Sequence, residues 1–172
     1  MRAGVDYIGH ANYLDVKPSN CWRATRNASC RPGDSVGSAV SRAMRKSWGQ
    51  PSHRARSRLR SGIDATITSV AKLRAAGVRL VVGGDYGISI APHGTYAKDL
   101  EYFVDLFGMT NAEALLCATR NGGLAMDRSG RLGTLTAGSV ADFLIVDGDP
   151  LHDIKVLQDH ARLRIVKSGR SV

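Results

Sequence analysis

In this chain of 172 residues the position best suited to chemistry is Asp85. It follows residues 78–82, an aliphatic, valine-rich run of strand length, and stands among Gly83, Gly84 and Gly87. Parallel α/β architectures mount reactive groups at the carboxyl ends of their strands. A carboxylate held there, with glycines leaving room for a ligand, can bind a divalent ion and accept a proton from the water that ion carries. The same position also suits a turn or helix-cap aspartate. His10 ends a shorter apolar run, residues 5–8. A neutral imidazole at a strand end is a common zinc ligand, and a lone histidine is equally compatible with a structural place. His93 stands in the loop after Asp85, near enough in sequence to line the same mouth or to face solvent. His152 and His160 fall among later turns and are assigned no role, and Cys117 reads as a packed thiol on an apolar helix face.

Helices must flank the strand that carries Asp85. Ile63, Ile67, Val70 and Ala71 recur at helical spacing and Gly77 supplies a stop, which predicts a helix of about thirteen residues. After His93 and Gly94, Thr95 is expected to cap a helix with the stripe Leu100, Phe103, Val104 and Phe107, ended by Gly108. Thr110 and Glu113 have capping-box spacing and open another helix through Ala114, Leu115 and Ala118, closed by Asn121, Gly122 and Gly123. Residues 132–135, 141–146 and 163–166 are short extended runs between turn residues, which reads as a small β unit.

A composition of 43% apolar and 23% charged residues fits one ordinary domain or a piece of a larger one; a complete α/β barrel takes roughly 250 residues. No run approaches the ~18 apolar residues of a membrane span, and the first residues lack the apolar core of a secretion signal, so a cytoplasmic protein without membrane contact is expected. Cys21, Cys30 and Cys117 are an odd set without a C-x-x-C pair and read as free thiols. The net charge of +9 is concentrated in residues 17–60, which hold eleven Lys or Arg against one acid, Asp34. This segment is rich in Arg, Ser and Gly and has few periodic aliphatics. Trp22 and Trp48 are its stacking groups, with no helix or sheet evident to array the cations. It reads as irregular chain rather than a nucleic-acid grip.

Taken in order, GGDYG, PHGTYAKDL, MTNAEALLCATRNGGLAM, GTLTAGSVADFLIVDGDPLHDI and RLRIVKSGR resemble the C-terminal portion of metal-dependent amidohydrolases, particularly the imidazolonepropionase-like and prolidase-like branch. The likeness covers residues 63–172 and rests on the combination of these motifs. The start, GVDYIGHANYLD, resembles the family's segment with a strand-end metal histidine, which falls on His10. The resemblance implies an α/β fold: the last strands and helices of a partial (β/α)8 barrel, plus the C-terminal part of a small β-sandwich. It divides the chain into a barrel strand with the ligand histidine at 1–16, the basic segment at 17–60, the last helix-strand-helix units at 61–128 and the sandwich portion at 129–172. By the same comparison Asp85 binds metal and shuttles the proton of the attacking water. His10 is the candidate second ligand, and Tyr86 and His93 contact substrate. The implied cofactor is a divalent metal, zinc, as one or two ions in a complete enzyme.

The implied activity is hydrolysis of an amide or other carbon–nitrogen bond in a small, dipeptide-like substrate, and the chain reads as a C-terminal fragment of such an enzyme. The family's His-x-His pair, bridging lysine or glutamate and mid-barrel histidine have no counterpart in this sequence. A catalytic zinc needs about three protein ligands, so Asp85 and His10 alone do not complete a site. Three or so strands of a barrel also leave unpaired edges. The chain is therefore expected to need a missing N-terminal half or another copy of itself. Two other readings are a catalytically inactive remnant or assembly subunit, and a basic nucleic-acid-binding protein acting through residues 17–60.

Overall fold

The computed structural model describes residues 7–8, 29–30, 53–84, 86–87, 92–127, 129–168 and 170–171. Strands β1 (Tyr7–Ile8), β2 (Ser29–Cys30) and β3 (Arg79–Leu80) pair in parallel in that spatial order, with Tyr7, Ser29 and Arg79 side by side. Parallel neighbours need a crossover, and helix α1 (His53–Ala75) lies in the one between β2 and β3. The carboxyl ends of all three strands thus share one edge. Helices α2 (Lys98–Asp105), α3 (Asn111–Ala118) and α4 (Arg120–Met126) follow. An antiparallel sheet of β4 (Phe143–Val146), β5 (Leu163–Lys167) and β6 (Arg170–Ser171) ends the described chain, with 3-10 turns at Ile154–Gln158 and His160–Arg162 between β4 and β5. Among the described residues the parallel strands form an open three-stranded sheet and no closed barrel.

Helix α1 begins ten residues before the apolar periodicity predicts, inside the segment expected to be irregular, as does β2. Its opening, HRARSRLRSG, has no apolar stripe, but Arg, Ala and Leu favour helix intrinsically. The buried face is also rotated from the expected one. Thr66, Ser69, Val70 and Leu73 are buried while Ala71 is exposed. The Thr66 hydroxyl lowers the cost of burial by donating to the Gly62 carbonyl at 2.8 Å. Gly77 ends the helix as expected, with φ at 72°. Its N–H bonds the Arg74 carbonyl at 2.9 Å and that of Val78 bonds Leu73 at 3.0 Å, the Schellman pattern that a left-handed glycine permits.

The core gathers Val70 and Leu73 of α1, Val78 and Leu80 of the β3 segment, Leu100, Phe103 and Phe107 along α2, Met109, Ala114 and Cys117 around α3, and Ile154 with Leu157. Phe103 and Phe107 meet edge to face with centroids 5.3 Å apart, worth about 0.5–1.5 kcal/mol beyond burial.

Thr95 does not cap α2. The N-cap is Ala97, which makes no side-chain bond, and the Thr95 hydroxyl donates instead to the Pro92 carbonyl at 2.8 Å. The Thr110–Glu113 capping box does form: the Glu113 N–H donates to Thr110 Oγ1 at 3.2 Å, and the Thr110 N–H to Glu113 Oε2 at 2.8 Å. Asn121, Gly122 and Gly123 lie inside α4 and close nothing. A Cβ on Gly123 would sit 2.2 Å from the Leu132 carbonyl oxygen, and one on Gly133 would sit 2.2 Å from that of Thr119. The glycines here answer a crossing of two backbones in contact. Residues 132–135, expected to be a strand, run irregularly through that crossing. The runs at 141–146 and 163–166 do become β4 and β5, paired Phe143 to Val166 and Leu144 to Ile165. Val146 and Leu163 pack on the core, while Phe143, Leu144 and Ile145 stay exposed.

Candidate active site

Ligands of parallel sheets collect at the carboxyl ends of the strands. The chain leaves β3 on this edge through residues 81–84, and in the sequence His10 comes two positions after β1. Asp85 and His10 themselves lie outside the described residues. Tyr86 and His93 are described, and the structure brings them together through Tyr96, which the sequence analysis did not single out. The Tyr86 and Tyr96 rings meet edge to face, centroids 4.6 Å apart at 76°. The Tyr86 hydroxyl is 3.4 Å from the Tyr96 carbonyl, and His93 Nδ1 is 2.6 Å from the Tyr96 hydroxyl. This contact fixes the orientation of the His93 ring beside the Tyr96 phenol.

Two glycines make this arrangement possible. Gly87 has φ at 95°, and a Cβ there would lie 2.7 Å from His93 Nε2. Any other residue would be strained and would displace the imidazole. At Gly84 a Cβ would lie 2.8 Å from Tyr86 Cε2 and 3.0 Å from Asp99 Oδ2. Asp99, on the first turn of α2 and only 2% exposed, is the second residue the sequence analysis missed. Its carboxylate hydrogen-bonds the Tyr86 phenol, and the helix dipole favours a negative charge at that end. Burial first, then the Asp99 charge and hydrogen bond, push the Tyr86 phenol far above the usual tyrosine range, so it stays protonated. The available signal was the Tyr96-x-x-Asp99 spacing, which puts both residues on one helical face. Opposite the phenol, His160 Nε2 lies 3.0 Å from the Gly94 carbonyl and ties the second 3-10 turn to this loop.

The rim therefore presents a protonated phenol and an oriented imidazole, groups that hold polar substrate atoms. Among the described residues no group of three or more His, Cys, Asp or Glu could hold a metal ion, so these residues alone do not fit a metal centre. A cleft of about 290 Å³ lies at the other end of β3, lined by Arg79, Met109, Leu116, Cys117 and Arg120 among others. It touches none of Tyr86, His93 and Tyr96. No helix among the described residues is long and apolar enough to cross a membrane.

Over 95 residues the chain is 37% identical to ochratoxinase of Aspergillus niger, an alignment covering 55% of this chain and 19% of that enzyme. Over 78 residues it is 40% identical to imidazolonepropionase of Chromobacterium violaceum, covering 45% of this chain and 19% of the relative. The aligned stretch is thus about a fifth of either relative's length. In three dimensions 99% of the chain superposes on the crystal structure of A. niger ochratoxinase with a TM-score of 0.79 at 25% identity, spanning 37% of that chain. It superposes equally far on a prolidase complexed with N-methylphosphonate-L-proline, with a TM-score of 0.77 at 26% identity, spanning 41% of that structure. The sequence profile of the Amidohydrolase family matches residues 8–172, from β1 through the β3 edge to the last strand, and the chain belongs to that family.

Proposed function

We propose that this chain forms the last-strand portion of an amidohydrolase catalytic unit, a partial (β/α)8 barrel with part of a β-sandwich, that hydrolyses amide or other carbon–nitrogen bonds in small, dipeptide-like molecules. The observation that carries this reading is the family match over residues 8–172, a range that includes the β3 exit, where Tyr86, Tyr96 and His93 converge. The names of the similar enzymes, ochratoxinase and a prolidase, support a small substrate with an amide bond.

In this reading Asp85 and His10 would be the chain's share of the ligands for a divalent ion, zinc, which when bound would supply a nucleophilic water at neutral pH. Asp85 would also be the group placed to take up a proton. Tyr86 gives its own proton to protein acceptors, which leaves hydroxyl lone pairs for a substrate N–H. His93, oriented by Tyr96, offers a ring nitrogen to a substrate carbonyl or carboxylate. The remaining ligands come from polypeptide outside the described residues, an N-terminal half or a second copy, and the cytoplasm is the proposed setting.

The test replaces the matching segment of A. niger ochratoxinase with residues 61–172 of this chain. The reading predicts that the chimera hydrolyses its substrate and loses at least about a hundredfold in kcat with Asp85→Asn. A folded chimera indifferent to Asp85→Asn, or without activity, would contradict the reading and favour an inactive remnant.

A further inference from the structure

Asp99 has the features of a built contact. It is 2% exposed, on the first turn of an eight-residue helix whose other buried residues, Leu100, Tyr102 and Phe103, are all apolar or aromatic. Burying a carboxylate is unfavourable unless hydrogen bonds repay its lost hydration. Its Oδ2 faces the space where a Gly84 side chain would begin, 3.0 Å from the Cβ position, and the Tyr86 ring edge closes the same space at 2.8 Å. Gly84 is not among the residues with positive φ. A glycine at this point therefore answers crowding by Asp99 and Tyr86. Tyr86 is in turn braced on Tyr96, one turn before Asp99 on the same chain segment.

We infer that Asp99 is a positioning residue that clamps Gly84 and Tyr86, the two neighbours of Asp85, against the start of α2. Gly84 and Tyr86, which flank Asp85 in the sequence, are then both packed against one carboxylate at the start of α2. The consequence for Asp85 rests on the functional reading above, whereas the clamp itself does not.

Hydrogen exchange of the Gly84 and Tyr86 amides in the full chain separates the two. Asp99→Ala is expected to speed exchange at both amides by about tenfold or more, because the packing that holds this stretch of backbone against α2 is lost. Exchange in β4 and β5 should stay within about twofold, since that sheet makes no use of Asp99. Asp99→Asn keeps an acceptor of the same shape and should restore most of the protection. In a Tyr86→Phe background Asp99→Ala should add less than about threefold, because the shared bond is already gone. Gly84→Ala serves if Asp99→Ala does not fold, and should produce the same local acceleration. Unchanged exchange at Gly84 and Tyr86, an increase spread evenly through the core, or an effect of Asp99→Ala undiminished by Tyr86→Phe would each overturn the clamp. None of these readouts needs turnover or metal, so an inactive chain with a working clamp defeats only the functional reading.

Discussion

Arg74 Nη2 lies 2.9 Å from Glu113 Oε1, and this fastens the last turn of α1 to the first turn of α3. The same guanidinium donates through Nη1 to the Phe107 carbonyl at 3.0 Å, so one side chain joins α1 and α3 to the turn that follows α2. The ion pair is a third to a half exposed and worth little by itself. Glu113 matters more as a cap. The Thr110 backbone N–H, and then the Arg74 charge, hold its carboxyl below the usual glutamate range. A depressed native pKa means stabilisation that is full above the unfolded value of about 4.3 and lost as pH falls through the native one. Thr110→Ala should cost about 0.5–2 kcal/mol in urea unfolding at neutral pH. Glu113→Gln should flatten the stability curve below about pH 4.3. An unchanged acid slope would count against this cap.

Gly123 and Gly133 test the backbone crossing. Alanine at either position places a methyl 2.2 Å from a carbonyl oxygen, a distance no rotamer can relieve. Each substitution should destabilise by more than about 2 kcal/mol, in line with overpacking. Gly122→Ala, whose Cβ meets only the Cys117 carbonyl at 3.8 Å, should be neutral or mildly stabilising in its helix. Thermal melts of the three variants would show the contrast.

Cys117 is 5% exposed and its thiol is pushed up to about 11, mainly by burial. Its modification by iodoacetamide at pH 7.5, followed by peptide mass spectrometry, should therefore be slower than that of a free cysteine by at least about a hundredfold, becoming fast in denaturant. Fast labelling of the native chain would show that α3 and α4 open readily.

Glu101 joins α2 to the first 3-10 turn. It accepts from Lys98, and from Gln158 Nε2 at 2.8 Å, with Lys155 Nζ at 3.8 Å. Burial pulls its pKa upward, but the Lys98 and Gln158 bonds and the lysine charges prevail and hold it below the usual range. Gln158→Ala should cost about 1–2 kcal/mol and raise amide exchange at Ile154–Gln158 before it affects β4. Equal exchange in Gln158→Ala and the parent chain would show that the apolar side chains Ile154 and Leu157 carry this docking alone.

What the sequence made legible was mostly local. The stop at Gly77, the Thr110–Glu113 box and the extended runs at β4 and β5 each obey a rule that needs only near neighbours. The first ten residues of α1 escaped because they bury no periodic stripe, and Thr95 misled because Pro92 offers its hydroxyl a nearer acceptor. Gly122 and Gly123 read as a helix end since nothing nearby announces the backbone of residues 132–133 crossing there. At the candidate site Tyr86 and His93 are expected near the β3 exit from their places beside and after Asp85 in the sequence, while Tyr96 and Asp99 come against Tyr86 only when the start of α2 folds back on that exit.

Zinc binding by the ochratoxinase chimera that carries residues 61–172, measured by competition with a chromogenic chelator, tests the central claim most directly. Loss of even an indirect support to a metal ligand costs ten- to a hundredfold in affinity, so Asp85→Asn in the chimera should weaken zinc binding by about tenfold or more. Zinc affinity identical in the chimera and in its Asp85→Asn variant would contradict the account.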